Sequence, residues 1–177
     1  MIIAIICALI TVLASIGLIT VIKSNKLKFY NTKLKEAEKE LQELFEKKLS
    51  LLTQIQNKLI EQNSELEFNL LCDIDDIKDD DFMLNAILNK ANKEIHNFLE
   101  EKHNYIPDDE VKELLLDLYN TDIECKAIKN YYNENAIIIN NKLKNFSNST
   151  IAKFNKINTK EIYNDPIEEE FEILKKK

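Results

Sequence analysis

The sequence predicts an all-α protein. It reads as an N-terminal transmembrane helix followed by an elongated antiparallel helical bundle of three main helices and a short C-terminal helix. Three observations carry this. The 177 residues include 1 Gly and 2 Pro, and the glycine is Gly17, so the chain beyond it has almost no turn formers. Residues 2–22 form an apolar run without Asp, Glu, Lys or Arg. After that run, apolar residues recur three and four apart, the period of a helix face. A glycine-poor chain builds no sandwich or barrel. It also has no glycine-rich phosphate cradle and no dinucleotide-binding turn.

As a helix the apolar run 2–22 spans about 30 Å, the thickness of a bilayer core. Nothing basic precedes it, and it is longer than the apolar core of a cleavable signal peptide. It is therefore read as an uncleaved anchor, residues 1–23, that contacts the lipid bilayer through residues 2–22. Lys23, Lys26 and Lys28 follow it directly. The positive-inside rule then sets the N-terminus outside and the helical domain in the cytoplasm, in a single-pass arrangement. Ala4, Ala8, Thr11 and Ser15 make a stripe of small residues on which another membrane helix could pack.

The first helix of the domain continues from the anchor without a breaker. Leu27, Tyr30, Leu34, Ala37, Leu41 and Leu44 keep heptad-like spacing, and the stripe then steps by one residue to Phe45, Leu49, Leu52, Ile55 and Leu59. An acidic connection follows, from Asp73 to Asp81. It lacks the turn glycine and the twelfth-position glutamate of a calcium loop, so its last aspartates read as caps of the next helix. That second helix is predicted near 81–103, with Leu84, Ile87, Leu88, Ala91, Ile95, Phe98 and Leu99 inward.

Pro107 with Asp108, Asp109 and Glu110 marks the start of the third helix. Val111, Leu114, Leu118, Cys125, Ile128, Tyr132, Ile139, Leu143 and Phe146 keep helical steps through "KNYYNENAIIINNKLKNF", whose asparagines and β-branched residues locally favour turns and strands. Asn133 and Asn140 lie on one edge of that face. They are expected to tie the helix to the chain returning around Phe146–Ala152. "SNST" is read as the helix end, and Ile151, Phe154 and Ile157 as a short apolar patch. Asp165, Pro166 and Glu168 open a C-terminal helix.

The third helix and its sequel resemble the LemA family of membrane-anchored bacterial proteins. The family's tyrosine-asparagine pair, its second asparagine, its phenylalanine-proline and its alanine match Tyr132-Asn133, Asn140, Phe146-Ser147 and Ala152. Near the anchor, Tyr30-Asn31 and the segment Lys47 to Ile55 are similar to two further family motifs. Serine and threonine replace the prolines at Ser147 and Thr53, Ser50 replaces an acid, Ile139 replaces a tyrosine, and no tryptophan is present. The resemblance implies a LemA-like helical bundle domain over 24–177 with no agreed enzymatic activity. It assigns Tyr132, Asn133, Asn140, Phe146 and Ala152 structural roles.

The residues point to no catalytic constellation. The net charge of −7 disfavours nucleic acid as a partner. Cys7, Cys72 and Cys125 have no metal or disulfide spacing. His96, Glu100 and His103 share one helix edge, but Glu100-x-x-His103 is half of a di-iron pattern whose second half is missing. No catalytic, cofactor-binding or metal residue is assigned, and no cofactor or small-molecule substrate. The expectation is a membrane-anchored scaffold that binds a protein partner or itself. A metal-dependent or hydrolytic enzyme hidden in the bundle is the alternative.

Overall fold

A computed structural model describes residues 1–62, 80–101 and 108–164. Four α-helices account for nearly all of them: α1 (Ile2–Gln62), α2 (Asp81–Glu101), α3 (Asp109–Leu143) and α4 (Phe146–Phe154). No strand occurs among the described residues. The segment predicted as a C-terminal helix, most of the acidic connection, Cys72 and His103 lie outside them.

α1 runs without a break through the apolar segment and into the domain. No proline and only one glycine interrupts it. Residues 1–22 are all exposed. The window that qualifies this helix to cross a membrane has a mean hydropathy of 3.0 and is 0% buried. Contiguous exposed apolar surface on this scale needs lipid or another protein to cover it. The hydroxyls within the run need neither. Thr11 donates to the Cys7 carbonyl at 2.8 Å, Ser15 to Thr11 at 2.8 Å and Thr20 to Ile16 at 2.9 Å. Polar atoms satisfied inside their own helix are compatible with a hydrocarbon environment.

The chain forms two compact units. One comprises Met1–Glu38 with Asn130–Ile162, the other Lys39–Lys129 with Tyr163–Lys177. Of the three divisions, one falls inside α1, one inside α3 and one at Ile162–Tyr163 beyond α4.

In the second unit α3 runs antiparallel to α1. As α1 advances from Lys48 through Lys58 to Gln62, its partners on α3 retreat from Asp122 through Glu110 to Asp108 at the cap. α3 is also antiparallel to α2, since Asn85 meets Lys129 while Asn92 meets Asp122. Hence α1 and α2 run parallel, and residues 62 and 80 lie at opposite ends of this unit. The long connection between them permits such a crossover. Helix starts are capped as the aspartates predict. Asp80 accepts from the Phe82 and Met83 amides at 3.1 Å each, and Asp108 from the Val111 amide at 2.8 Å.

The inward positions of α1 are Leu41, Phe45, Leu52, Ile55 and Leu59, all at 1% exposure or less. The expected one-residue step to Phe45 is present, with Leu44 only half-buried, but the next inward position is not Leu49. From Phe45 the seam passes through Lys48, only 3% exposed, and Leu49 is half-buried. A buried ammonium needs an anion and further acceptors. α3 supplies the Asp122 carboxylate and α2 supplies Asn89 Oδ1 at 2.9 Å, while Asn92 Nδ2 holds the carboxylate at 2.6 Å. One cation thus links three helices. Beside it Cys125 is buried, and burial pushes its thiol up to about 11 against the opposing pull of Lys48 and Lys129. This is a small core residue, not a nucleophile. At one end Tyr163 stacks on Phe82 at 4.2 Å between centroids and meets Phe45 edge-on at 6.3 Å.

Breaking the pair should cost more than replacing it. Asp122→Asn leaves the Lys48 charge buried without its counter-ion, an expected loss of about 3 kcal/mol. Lys48→Met combined with Asp122→Leu removes both charges and should recover most of that loss. Urea unfolding of the two variants beside the parent checks this. Equal destabilisation of both would show that the pair itself contributes net stability.

Candidate functional site

The five motif residues Tyr132, Asn133, Asn140, Phe146 and Ala152 all fall in the first unit, where the chain leaves α3 and reverses. α3 ends at Leu143, not at Phe146. Asn145, in extended conformation, caps a new helix. Its side chain accepts from the Ser147 amide, and Phe146 becomes the first residue of α4. "SNST" therefore lies inside a helix rather than ending one. The reason is local. Asn145 stops α3 and starts α4, and Asn148 Nδ2 reaches back to the Lys142 carbonyl at 3.1 Å, satisfying an orphan acceptor at the end of α3.

α4 ends in a left-handed turn at Lys156, with φ of 54°. The Ile157 amide donates to the Ala152 carbonyl at 2.9 Å and the Lys156 amide to the Lys153 carbonyl at 3.2 Å. This is the paired closure of a Schellman motif, with the buried Ile157 meeting the buried Ala152. Glycine normally takes the left-handed position, and none is present here.

Beyond the turn the chain is fixed by Asn140. Its Nδ2 donates to the Lys160 carbonyl at 2.8 Å, and its Oδ1 accepts from the Lys160 amide at 2.9 Å. One side-chain amide thus pairs with both groups of one peptide residue, as a neighbouring strand would. The Lys160 ammonium reaches Glu38 on α1 at 2.8 Å, and the Tyr132 hydroxyl approaches the same carboxylate oxygen at 3.5 Å. Lys160 is thereby held by α3 through its backbone and by α1 through its side chain.

Of the five motif residues, Tyr132 and Ala152 are buried and Asn133 and Asn140 half-buried. Phe146 is 87% exposed. Asn140 makes the expected tie to the returning chain, but at Lys160 rather than within Phe146–Ala152. Of the expected apolar patch only Ile157 is buried, Ile151 is half-buried, and Phe154 is 86% exposed. Sequence reasoning missed Lys160, Glu38 and Lys48. For Lys48 a signal existed, since an unbroken seam from Phe45 to Leu52 passes through position 48. Nothing comparable marks Glu38 or Lys160.

The arrangement of Asn140, Lys160 and Glu38 binds backbone and balances charge. Among the described residues no group of three or more His, Cys, Asp or Glu could hold a metal ion. His96 and Glu100 are exposed. Comparison with family models, with curated proteins and with solved structures gives no match.

Two measurements probe the turn. Asn140→Ala strips both partners from the Lys160 peptide and should cost on the order of 1–3 kcal/mol in thermal unfolding. Loss of less than about 0.5 kcal/mol would mean that water replaces the amide at no cost. In the opposite direction, Lys156→Gly relieves the left-handed side chain and should stabilise by about 1 kcal/mol, seen as a raised urea midpoint.

Proposed function

We propose that this chain is a membrane-anchored helical scaffold, LemA-like in plan, that presents its domain to a protein partner or to a second copy of itself. One observation carries the reading. α1 is one continuous helix whose exposed apolar start, of membrane-spanning length, leads directly into the residues that pack in the domain. The LemA-like plan is supported by the packing of Tyr132 and Ala152 and by the pairing of Asn140 with the Lys160 backbone.

Partner binding is supported by the outer face of α3 in the second unit. Leu116, Tyr119 and Ile123 lie at i, i+3 and i+7 and are exposed by 59%, 62% and 51%. The other face of that helix already packs through Val111, Leu118 and Cys125. A second apolar stripe on a packed helix suits a helix-in-groove or helix-on-helix contact. A cytoplasmic domain is supported by Lys23, Lys26 and Lys28, which follow the span directly.

A photo-crosslinking residue in place of Tyr119, activated in intact cells, should yield a discrete adduct that disappears when Leu116 and Ile123 are both changed to Glu. A smear unaffected by those changes would sink the reading. A cytoplasmic fluorescent reporter fused at Lys177 should be active, and activity of a periplasm-dependent phosphatase at the same position would reverse the orientation.

A further inference from the structure

α4 has an unexplained outer face. Phe146 and Phe154 are 87% and 86% exposed, although each is a large aromatic side chain on an ordered helix. At 100° per residue they lie about 80° apart, with the exposed Thr150 between them and the exposed Lys153 about 20° beyond Phe146. The opposite side carries Asn148, Ile151, Ala152 and Asn155, all buried or half-buried. α4 is therefore amphipathic with its aromatic side turned away from the protein. Lys144 and Lys156 flank it, also exposed.

Its position on α1 identifies what covers that face. Near one end of α4, Ser147 Oγ accepts from Lys23 Nζ at 2.6 Å. Just past the other end, Asn155 Nδ2 donates to Ser24 Oγ at 3.0 Å. Eight residues of α4 cover about 12 Å, whereas Lys23 and Ser24 are about 1.5 Å apart along α1. α4 therefore lies across α1 and not alongside it, at the first two residues beyond the apolar run. Within this unit α3 descends along α1 toward the run, with Tyr132 at Glu38 and Lys142 over the Tyr30 ring at 5.4 Å. α4 forms the layer after that. Its buried side faces α1 and the rest of the unit, and its aromatic side is left exposed at the level where the apolar run ends.

We propose that α4 is an interfacial helix that lies in the plane of the bilayer surface, with Phe146 and Phe154 set at the boundary of headgroups and acyl chains and Lys144, Lys153 and Lys156 among the lipid phosphates. Aromatic rings and lysines are the side chains that such a boundary accepts. The proposal rests on the reading that α1 spans the membrane, and it adds a second contact that fixes the angle at which the domain leaves the bilayer. Without it the domain stands on one helix, free to tilt.

The chain contains no tryptophan, so a single introduced one reports alone. The full-length protein is reconstituted into phosphatidylcholine–phosphatidylglycerol vesicles carrying brominated lipids. Four variants are compared: Phe146→Trp, Phe154→Trp, Leu13→Trp in the span, and Glu124→Trp on exposed α3. Leu13→Trp should be quenched most by bromines deep in the acyl chains. Phe146→Trp and Phe154→Trp should emit to the blue of Glu124→Trp and lose roughly half their emission or more to bromines near the headgroups. Glu124→Trp should be unaffected. If Leu13→Trp is quenched while both α4 variants behave like Glu124→Trp, the anchor stands and the interfacial helix is refuted. If Leu13→Trp is not quenched, the membrane reading itself fails.

Discussion

A chain with no glycine beyond residue 17 must still end its helices and reverse direction, and side-chain amides do this work. Each helix end leaves backbone groups without intrahelical partners, and leaving them buried and unpaired is costly. Asn145 starts α4, Asn148 closes α3 and Asn140 holds the peptide groups of Lys160. Among the described residues only Lys156 takes up a left-handed conformation. The asparagines that make this region look like a strand with turns are thus what allow it to be helix, reversal and helix. Ser147 and Asn155 then tie the reversed segment to Lys23 and Ser24, so the turn chemistry places α4 at the foot of the domain.

Polar residues inside the seam have a comparable consequence in the second unit. Lys48, Asn85, Thr121 and Lys129 occupy buried positions where Leu or Ile would pack as well. The ammonium of Lys48 finds its carboxylate and its amide only when α1, α2 and α3 sit in one register. An apolar seam slides by a heptad at small cost. A buried cation does not, because a shifted neighbour leaves it unpaired. The parallel course of α1 and α2 follows from the same contacts. This register also leaves Leu116, Tyr119 and Ile123 facing outward, on the surface read as the partner site.

The polar groups described above are engaged in packing and in closing helix ends. The apolar start of α1 is exposed along its whole length, the domain continues the same helix, and α4 crosses α1 where the apolar run stops. The buried thiol of Cys125 is held neutral by its surroundings, and the carboxylate of Glu38 is committed to Lys160. The chemistry that remains exposed is aromatic and basic at α4 and apolar on the outer face of α3. Both are surfaces for contact.

Helical class, the long apolar N-terminal helix, the caps at Asp80 and Asp108 and most buried positions were legible in the sequence, because each depends on residues close to one another in the chain. The three- and four-residue spacing carried "YYNENAIIINN" as helix despite its composition, since burial of Tyr132, Ala136 and Ile139 outweighs weak propensity. What lay beyond reach were the contacts that join residues far apart in the chain. Asn140 is recognisable as an amide that needs partners, but only the path of the chain brings it to Lys160 instead of Phe146–Ala152. Lys48 was taken for a surface lysine because charge alone argues for solvent, and its carboxylate lies more than seventy residues away at Asp122. Phe146 and Phe154 looked like core. The tertiary structure turned them outward, because Asn145 broke the helix two residues after Leu143 and reset the phase of every side chain that followed.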